Sequence, residues 1–521
     1  MRPVAWLTAL LLTATVVLAG CGGEDDSTAS SFSVGELDPD FLTPGRTTGA
    51  FDQIHALFTP LTKVDRDNKV VNQMAESITS DDRRTWTIKV KQGWTFHDKS
   101  PVTAHSFVDA WNWTAYAPNG WANNGDLSII EGWDALNTTE GKPKTKEMTG
   151  AKVVDDHTIE ATLVLPNSQF PLLLTKMGFY PLPEVAFEDF GAYEKRPIGN
   201  GPYRMAGDWV HNRSIRVQRF AGYQGQRPKT DRIEFKIYSD VKTGYTDLQA
   251  GNLDIVNVGQ DQYGQAKRDF PDSFTAFDAP AIDYLGFPLF DKRYADKRLR
   301  QAISLAIDRK AINKALFADV MTPATSLVAS SSIGAEQDTC EYCRFDPAEA
   351  RKLLAEAGGW SGQLTIWYPS GAGYDAMFEA IANQIRENLG ITDISLKTQT
   401  FPQFLQNLTK QKLHGVLRGH WGATHPSMQD TLSNLFTKGG GTYYSTNYTS
   451  DDVLDLIHQG DRAPSVEAAV PSYLKAEQRI LDDFPTVPLF GAKYVYVHSD
   501  RVDDVVIDVN QIELADVTVA K

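Results

Sequence analysis

The spacing of apolar residues along this chain changes character near residue 280. Before that point, short runs alternate apolar and polar residues with a period of two, which is typical of half-buried β-strands. The apolar positions of these runs are Trp86, Ile88 and Val90, then Ile159, Ala161, Leu163 and Leu165, and then Ile233, Phe235 and Ile237. The first half of the chain is therefore predicted to be rich in strands.

Helical spacing dominates from about residue 295. A first amphipathic helix is predicted from the apolar stripe Leu299, Ala302, Ile303 and Ala306. Asp308 follows that stripe and is expected to be the N-cap of the next helix. A further helix is predicted to begin after an N-cap at Asp346, with Pro347 at its first position, and to end at Gly358.

Strands and helices alternate after residue 360. A strand is predicted over 364–368, a helix over 381–389 and a second strand over 394–398. This order indicates an α/β lobe in which helices pack on a mostly parallel sheet. The sequence contains no internal repeat.

The first 21 residues have the layout of a secretory signal. Arg2 supplies one positive charge, an apolar stretch runs from Val4 to Ala19, and small residues precede Cys21. The quartet LAGC at 18–21 resembles a bacterial lipobox, which implies that Cys21 becomes a lipid-modified mature N-terminus. An ordinary signal peptide with an incidental cysteine, or a short transmembrane anchor, would be the alternatives.

On the lipobox interpretation, residues 1–20 are a lipoprotein signal peptide and residues 21–31 a flexible Gly/Ser/acidic tether. Two or more acyl chains hold a protein stably to a bilayer, whereas one chain does so only marginally. The protein is therefore expected outside the cytoplasm, anchored by lipid to the outer face of the cell membrane.

Composition and net charge limit the classes of molecule that the protein is expected to bind. The chain has 521 residues, of which 42% are hydrophobic and 22% charged, as in ordinary globular proteins with two or more lobes. After the leader, no run reaches the roughly 18 apolar residues that a membrane helix needs. The net charge of -15 provides no broad basic surface, so no nucleic-acid partner is expected.

Two further cysteines, Cys340 and Cys343, stand in the sequence CEYC. Such a pair can be redox-active in a thioredoxin-like protein, or form half of a zinc site. No second CxxC is present, and the loop runs directly into the helix start at 345–347. A structural disulfide between the two cysteines is therefore preferred.

Signatures of catalysis are absent from the sequence. It contains no HExxH, no GxSxG and no GxxxxGK[ST], and the glycines at 439–441 lack a strand-turn-helix setting. His414, His420 and His425 form the only histidine cluster, and in an extended segment they need not converge on a metal. We expect no catalytic residue, no metal and no cofactor, with an exported hydrolase kept as an alternative because carboxylates are abundant.

Six segments stand out when they are read together: WTIKVKQGWTFHDKSPVTAHSFVDAW (86–111), PIGNGPYRM (197–205), LQAGNLDI (248–255), DKRLRQAISLAIDRKAI (296–312), DPAEARKLLAEAG (346–358) and WGATHPSMQDTLSNLF (421–436). In content, order and approximate spacing they resemble the extracytoplasmic solute-binding proteins of peptide ABC transporters, the oligopeptide- and dipeptide-binding family 5. The resemblance covers nearly all of the mature chain, although Asn200 replaces the usual threonine of the second segment.

The resemblance implies a two-lobed periplasmic-binding-protein-like α/β fold of class II, with an extra inserted subdomain and a hinge of two crossing strands. Lobe I would comprise residues 32–280 with the insertion at about 76–190. Lobe II would comprise 281–487, and residues 488–521 would return to lobe I. The crossings are expected near 278–284 and 487–491.

The implied function is ligand capture for an ABC importer. A monomer would bind an extended oligopeptide between two closing lobes and deliver it to a membrane permease without acting as an enzyme. The same role for a non-peptide solute, namely a modified peptide, an oligosaccharide or a metal chelate, stays an alternative.

Ligand contacts are placed by matching the family's segments. The resemblance points to the loop before the first helix, to a loop of the inserted subdomain and to the lobe II segment, namely Arg46, Thr47, Thr48, Gly49, Trp121, Asn123, Asn124, Trp421, Gly422, Ala423, Thr424 and His425. For Trp421 a purely structural role in the core or rim is equally compatible with the sequence. Arg46 could pair with a ligand carboxylate or be a solvated loop residue.

One position departs from the family pattern. Relatives usually place an aspartate in the lobe II segment, where it pairs with the ligand's α-ammonium, whereas this chain has Thr424. Either another carboxylate reaches the site or the ligand's amine is not bound there, because a buried cation without a partner is costly. The identity, the length and the N-terminus of the ligand therefore stay open.

Local patterns near these segments have structural interpretations. Ser427 with Asp430 three residues later predicts a capping box. The glycines of GNGPY (199–203) suit a tight turn that enters a strand. Three arginines that bracket an amphipathic helix are predicted to lie on solvated faces, namely Arg298, Arg300 and Arg309.

Overall fold

A computed structural model describes residues 29–138, 141–370, 373–423, 425–438, 446–508 and 511–520. The predicted signal segment, Cys21, most of the tether and Thr424 lie outside these described residues.

The strands are β1 (Ser31–Leu37), β2 (Thr62–Val64), β3 (Val70–Asn72), β4 (Ala75–Thr79), β5 (Thr85–Val90), β6 (Ala151–Asp155), β7 (Thr158–Thr162), β8 (Tyr203–Met205), β9 (Ser214–Arg219), β10 (Arg232–Tyr238), β11 (Ile255–Asn257), β12 (Thr275–Gly286), β13 (Thr322–Pro323), β14 (Leu364–Pro369), β15 (Ile394–Gln399), β16 (Val416–Gly422), β17 (Thr486–His498), β18 (Val502–Asp503), β19 (Ile507–Asp508), β20 (Gln511–Ile512) and β21 (Thr518–Val519).

The helices are α1 (Phe51–Leu57), α2 (Ala104–Ala115), α3 (Trp133–Leu136), α4 (Phe170–Leu173), α5 (Phe190–Tyr193), α6 (Val241–Gln249), α7 (Tyr263–Asp269), α8 (Lys297–Leu305), α9 (Arg309–Leu316), α10 (Pro347–Glu356), α11 (Asp375–Leu389), α12 (Phe401–Thr409), α13 (Met428–Phe436), α14 (Asp451–Asp461) and α15 (Val466–Asp483). Short 3-10 helices span Ala117–Asn119, Ala122–Ile129, Met177–Phe179, Glu184–Phe187, Gln260–Gln262, Lys292–Tyr294 and Glu341–Cys343.

One large sheet runs through the molecule in the strand order β15-β14-β16-β12-β17-β11-β1-β10-β9-β8, with β13 paired to β17. β12 and β17 are its long central strands and pair with each other. β14 is parallel to both β15 and β16, as predicted for the α/β lobe. The mixed sheet therefore has an α/β part on each side of the two central strands.

The pairing of β12 with β17 is interrupted in the middle. The ladder runs from Thr275 to Asp278 and resumes at Ile282, which lies opposite Gly491. β12 thus advances by four residues where β17 advances by two, from Lys493 to Gly491. Such an irregularity bends a strand locally and increases its twist.

A second, antiparallel sheet has the order β4-β5-β7-β6 and packs against α2. Its apolar residues form a separate core cluster around Trp111, Phe107 and Ile88. This sheet lies within the stretch that the sequence assigns to the inserted subdomain. The boundaries given for that subdomain and for the two lobes remain predictions.

The helix starts follow local sequence. The Asp308 carboxylate accepts a hydrogen bond from the Ala311 amide at 2.9 Å, and that of Asp346 accepts from the Glu349 amide at 3.0 Å. Both predicted N-caps are therefore confirmed, since a cap satisfies an amide that the first turn leaves without a partner. The positive φ of Gly358 fits the predicted end of α10.

The prediction for the three arginines is wrong for two of them. Arg298 is exposed and pairs with Asp296, but Arg300 and Arg309 are only 4% and 3% exposed. The Arg309 guanidinium donates to four backbone carbonyls and to the Ser304 hydroxyl. Burial lowers the pKa of Arg309 to about 9, although nearby Asp308 acts in the opposite direction.

The GNGPY segment is a site of close backbone approach. A Cβ at Gly199 would overlap the carbonyl oxygen of Leu57 at the end of α1, and one at Gly201 would crowd the same turn. The fully buried Asn200 accepts from the Thr59 amide at 2.9 Å and donates to the Thr59 carbonyl at 3.0 Å. These contacts fix the end of α1 against β8.

A disulfide joins Cys340 to Cys343 beside the start of α10. The Cys343 carbonyl accepts a hydrogen bond from Arg309 at 3.0 Å, so the disulfide loop is attached to the start of α9. Among the described residues, no helix is both long and apolar enough to span a membrane.

Candidate functional site

A cleft of about 800 Å³ lies between two groups of elements. We call residues drawn from 47–64, 122–129 and 164–180 the first wall, and the described residues drawn from 421–437 and 454–462 the second wall. The volume is in the range of pockets that enclose most of a small ligand.

The two walls are joined by direct hydrogen bonds. The amide of Ser168 donates to the carbonyl of Asp461 at 2.8 Å, and the hydroxyl of Ser427 donates to Oε1 of Gln169 at 3.3 Å. The space between the walls is therefore partly closed by direct contacts between them.

Some of the predicted contact residues do line the cleft, namely Thr47, Thr48, Asn123, Trp421, Gly422 and His425. Several of their polar groups already have partners. The Thr47 hydroxyl donates to Asp40 at 2.7 Å, and the Asn123 amide donates to the carbonyls of Pro44 at 2.7 Å and Thr47 at 3.0 Å. These bonds hold the loop before α1 in place.

The remaining described positions serve the fold and do not line the cleft. Arg46 stacks over the Phe41 ring at 3.7 Å and pairs with Glu194 at 3.7 Å, so its charge is used within its own lobe. Trp121 is buried with its ring edge-on to Phe190. Both side chains therefore pack within the structure under the loop and do not line the cleft.

Asn124, Ala423 and Gly49 have comparable structural roles. The Asn124 amide donates to the carbonyls at the end of α2, at 2.6 Å for Ala115. Ala423 is buried, and its amide donates to Pro280 on β12 at 2.8 Å. Gly49 precedes α1, where its amide donates to the Thr47 hydroxyl at 3.2 Å.

An ion cluster that the sequence did not suggest joins the walls. Nζ of Lys176 lies 3.4 Å from Oδ1 of Asp126 on the first wall and 3.4 Å from Oδ1 of Asp430 on the second wall. Burial alone would lower the pKa of Lys176, but the two carboxylates raise it above its ordinary value. The lysine is therefore a fixed positive charge in the cleft.

Asp430 is held by several donors of the second wall. Its Oδ2 accepts from the Trp421 indole at 3.1 Å, and its Oδ1 accepts from the Asn434 amide at 3.3 Å. Only half of the predicted capping box is present. The Ser427 hydroxyl caps α13 by accepting from the Gln429 amide, but the Ser427 amide donates to the His425 carbonyl and not to the Asp430 carboxylate. The Asp430 carboxylate belongs to the ion cluster because it pairs with Lys176 and accepts from Trp421.

The three histidines of the predicted cluster are bound to different acids. His414 lies near Asp291, His420 near Asp283 and His425 near Asp430, according to their ring nitrogens and carboxylates. Burial lowers the pKa of His425 to about 4, so its imidazole is neutral at pH 7. Within the part of the chain that the structure describes, no group of three His, Cys, Asp or Glu side chains could hold a metal ion.

The first wall also carries a neutral imidazole. Nδ1 of His55 lies 2.7 Å from the Phe51 carbonyl oxygen, which can only accept, so Nδ1 is the protonated nitrogen. Nε2 then accepts from the Tyr180 hydroxyl at 3.1 Å. Burial lowers the pKa of His55 to about 4 and keeps this arrangement uncharged at neutral pH.

Part of the cleft is apolar and open to solvent. Phe51, Val164, Leu165 and Leu454 all line it and are 37%, 50%, 41% and 37% exposed, respectively. Apolar side chains left in contact with water mark surfaces that bind a partner or ligand. These side chains are therefore suited to contact apolar groups of a ligand.

Comparison with known proteins identifies the family to which this fold belongs. The family model described as bacterial extracellular solute-binding proteins, family 5 Middle, matches residues 69–443, which is more than half of the chain. The chain belongs to this family. The expectation drawn from the six segments is confirmed, and the members of family 5 are binding proteins.

Curated relatives of this family 5 protein match over most of their length. The dipeptide-binding protein DppE of Bacillus subtilis (strain 168) is 23% identical, with 96% of each chain covered. The periplasmic oligopeptide-binding protein OppA of Escherichia coli (strain K12) is 26% identical over 86% of this chain and 83% of the relative. The glutathione-binding protein GsiB of Salmonella typhi is 26% identical, with 95% of each chain covered.

Solved structures confirm the expected fold class. OppA of Burkholderia pseudomallei has a TM-score of 0.80 with 22% identity, and covers 95% of this chain and 100% of its own. OppA of Haemophilus influenzae, solved in complex with RPPGFSPFR, has a TM-score of 0.78 with 21% identity, over 95% of this chain and 99% of the other. The fold is thus the two-lobed fold of periplasmic peptide-binding proteins.

Lys176 and Asp126 were missed by sequence reasoning. Lys176 is the only charged residue within the otherwise largely apolar stretch FPLLLTKMGFYPLP at 170–183, which is the one local signal of its special position. Asp126 gives no comparable signal, because acidic residues are common throughout this family 5 protein. The pairing of Lys176 with Asp430 joins segments far apart in sequence and depends on the fold.

Proposed function

We propose that this family 5 protein captures an extended peptide in the cleft and delivers it to an ABC permease in the membrane, without acting as an enzyme. The cleft between the two walls is the observation that carries the proposal. Polar groups from both walls and exposed apolar side chains line it. An extended peptide presents both kinds of group along its length.

Closure of the walls provides the mechanism for capture. A buried ligand must find protein or water partners for its polar groups, and two approaching walls supply them from both sides. Closure also changes the outer surface, which gives a permease a means of distinguishing loaded from empty protein. The lobes would meet at the interrupted region of the β12–β17 ladder, with boundaries at about residues 280 and 487.

The peptide assignment predicts what the purified protein carries. Protein isolated from its native source without unfolding is expected to show additional mass in native mass spectrometry, which fragments as peptides after release. Buried ligands dissociate slowly, so they survive purification. A sugar or a metal chelate in place of peptide would contradict the peptide assignment while keeping the role in transport.

An exported hydrolase is the competing function. It would require turnover of a peptide or glycoside pool that one substitution in the cleft abolishes. We expect intact masses for every member of such a pool after prolonged incubation with the protein. Product formation that depends on a cleft residue would contradict the binding role.

We also propose that Cys21 carries the lipid that holds the protein to the outer face of the cell membrane. The variant Cys21→Ser is expected to move the protein from the membrane fraction to the medium or wash, because the acyl chains supply the attachment. Immunoblots of the two fractions measure this shift. Continued sedimentation of Cys21→Ser with membranes would contradict lipid anchoring.

A further inference from the structure

Lys176 presents an ammonium group inside the cleft, and carboxylates of both walls hold it there. Its Nζ lies 3.4 Å from Oδ1 of Asp126 and 3.4 Å from Oδ1 of Asp430. The side chain of Lys176 is 15% exposed, whereas that of Asp430 is only 1% exposed. A ligand in the cleft therefore meets the ammonium before it can meet the Asp430 carboxylate.

We infer that Lys176 occupies the place that a ligand ammonium would take beside Asp430, so the ligand group at this point is an uncharged hydrogen-bond acceptor. The carbonyl oxygen of an N-acylated terminus or of an internal peptide unit has this chemistry. The inference rests on the proposed function and specifies which class of peptide the cleft accepts.

The coordination of Asp430 supports this assignment. A carboxylate offers about four acceptor sites. The indole of Trp421 uses Oδ2 at 3.1 Å, while Lys176 and the Asn434 amide both approach Oδ1. Nδ1 of His425 also lies 3.4 Å from Oδ1. A ligand ammonium would have to displace one of these groups to reach the carboxylate.

Asp126 is engaged in the same way. Its Oδ2 accepts from the Gly178 amide at 3.2 Å, and its Oδ1 faces Lys176. An ammonium has three donors. The Lys176 ammonium lies at ion-pair distance from both carboxylates, and it can still donate to an acceptor on the ligand.

Electrostatics provides the opposing argument. Two ionised carboxylates and one ammonium leave a net charge of about -1, which would attract a second cation. Burial raises the pKa of Asp126 above its ordinary value, despite the opposing charge of Lys176. The Lys176 ammonium nevertheless lies between the two carboxylates, 3.4 Å from each, so a ligand amine would face it as a like charge.

The inference can be tested with two peptide pools that differ only at the N-terminus. One degenerate hexapeptide pool is divided, half is N-acetylated, and equal amounts of the halves compete for the full-length protein. Bound peptides are recovered after rapid desalting and counted by mass spectrometry. The wild-type protein is expected to retain acetylated and free peptides in a ratio of one or more.

Substitution of Lys176 should reverse this selectivity. In Lys176→Met and Lys176→Gln the ligand ammonium becomes the only cation available to Asp430, so the acetylated-to-free ratio is expected to fall by about tenfold or more. Lys63→Met is the matched control, because Lys63 lines the cleft on β2 outside the cluster. It should change the capture of both halves alike and leave the ratio unchanged.

The outcomes separate the two proposals. A wild-type ratio below one overturns the inference, and this measurement needs no variant to fold. An unchanged ratio in correctly folded Lys176 variants overturns it as well, while peptide capture stands. Retention of neither half by the wild-type protein contradicts the peptide function itself, and the inference falls with it.

Discussion

Arg309→Met is expected to lower the free energy of unfolding by about 3–5 kcal/mol. The guanidinium binds the carbonyls of Pro488 at 2.8 Å, Cys343 at 3.0 Å, and Ser304 and Ile307 at 3.2 Å. Methionine retains much of the side-chain volume but has no donor. Four carbonyl groups would lose a bond in a region closed to water, and each unsatisfied group carries a desolvation cost.

Urea denaturation followed by circular dichroism measures this effect. Arg298→Met is the matched control, because Arg298 lies in α8, the helix just before Arg309, and is exposed beside Asp296. Exposed ion pairs contribute little to stability, so the control is expected to unfold at the midpoint of the wild type. Equal midpoints for both variants would contradict the structural role assigned to Arg309.

Gly199→Ala is expected to destabilise the protein by about 3 kcal/mol, the upper end of typical overpacking costs. The added Cβ would overlap the backbone carbonyl of Leu57, which cannot move aside as a flexible side chain could. Either the end of α1 or the 199–203 turn must shift. Because α1 carries Phe51 and His55 into the cleft, ligand capture should weaken together with stability.

A control substitution at another glycine distinguishes the effect of crowding from the general effect of adding a methyl group. Gly264 lies in α7, and a Cβ there would meet its nearest neighbour, the Ala318 Cβ, at 3.4 Å. Gly264→Ala is expected to be neutral or to stabilise the protein slightly, since alanine favours helix over glycine. Thermal melts of the two variants make the comparison. A Gly199→Ala protein as stable as Gly264→Ala would contradict the close-approach explanation.

Those parts of the fold that depend on neighbouring residues could be predicted from sequence. The caps at Asp308 and Asp346 follow from contacts three residues away, and the α/β order after residue 360 follows from periodicity. The burial of Arg309 could not be predicted in this way. Its partner on β17, Pro488, lies 179 residues further along the chain, and its local sequence is that of an exposed amphipathic helix.

The site was predictable only in part for the same reason. Family segments pointed to the second wall, and Trp421 and His425 line the cleft. Matching by position could not reveal that the Arg46 guanidinium would stack on Phe41 and pair with Glu194. Nor could it find Lys176, because the lysine acquires its role only when Asp430 is brought to it across the cleft.

The interruption between Asp278 and Ile282 bears on the heat of ligand capture. Across this stretch β12 exchanges no ladder bonds with β17, so in the proposed closure a rotation there breaks no pairing between these two strands. The binding enthalpy measured by calorimetry should therefore come mainly from contacts between the ligand and the two walls and from displaced water. The interrupted part of the ladder should contribute little to it. Differences in binding enthalpy between ligands would then report the contacts that each ligand makes in the cleft.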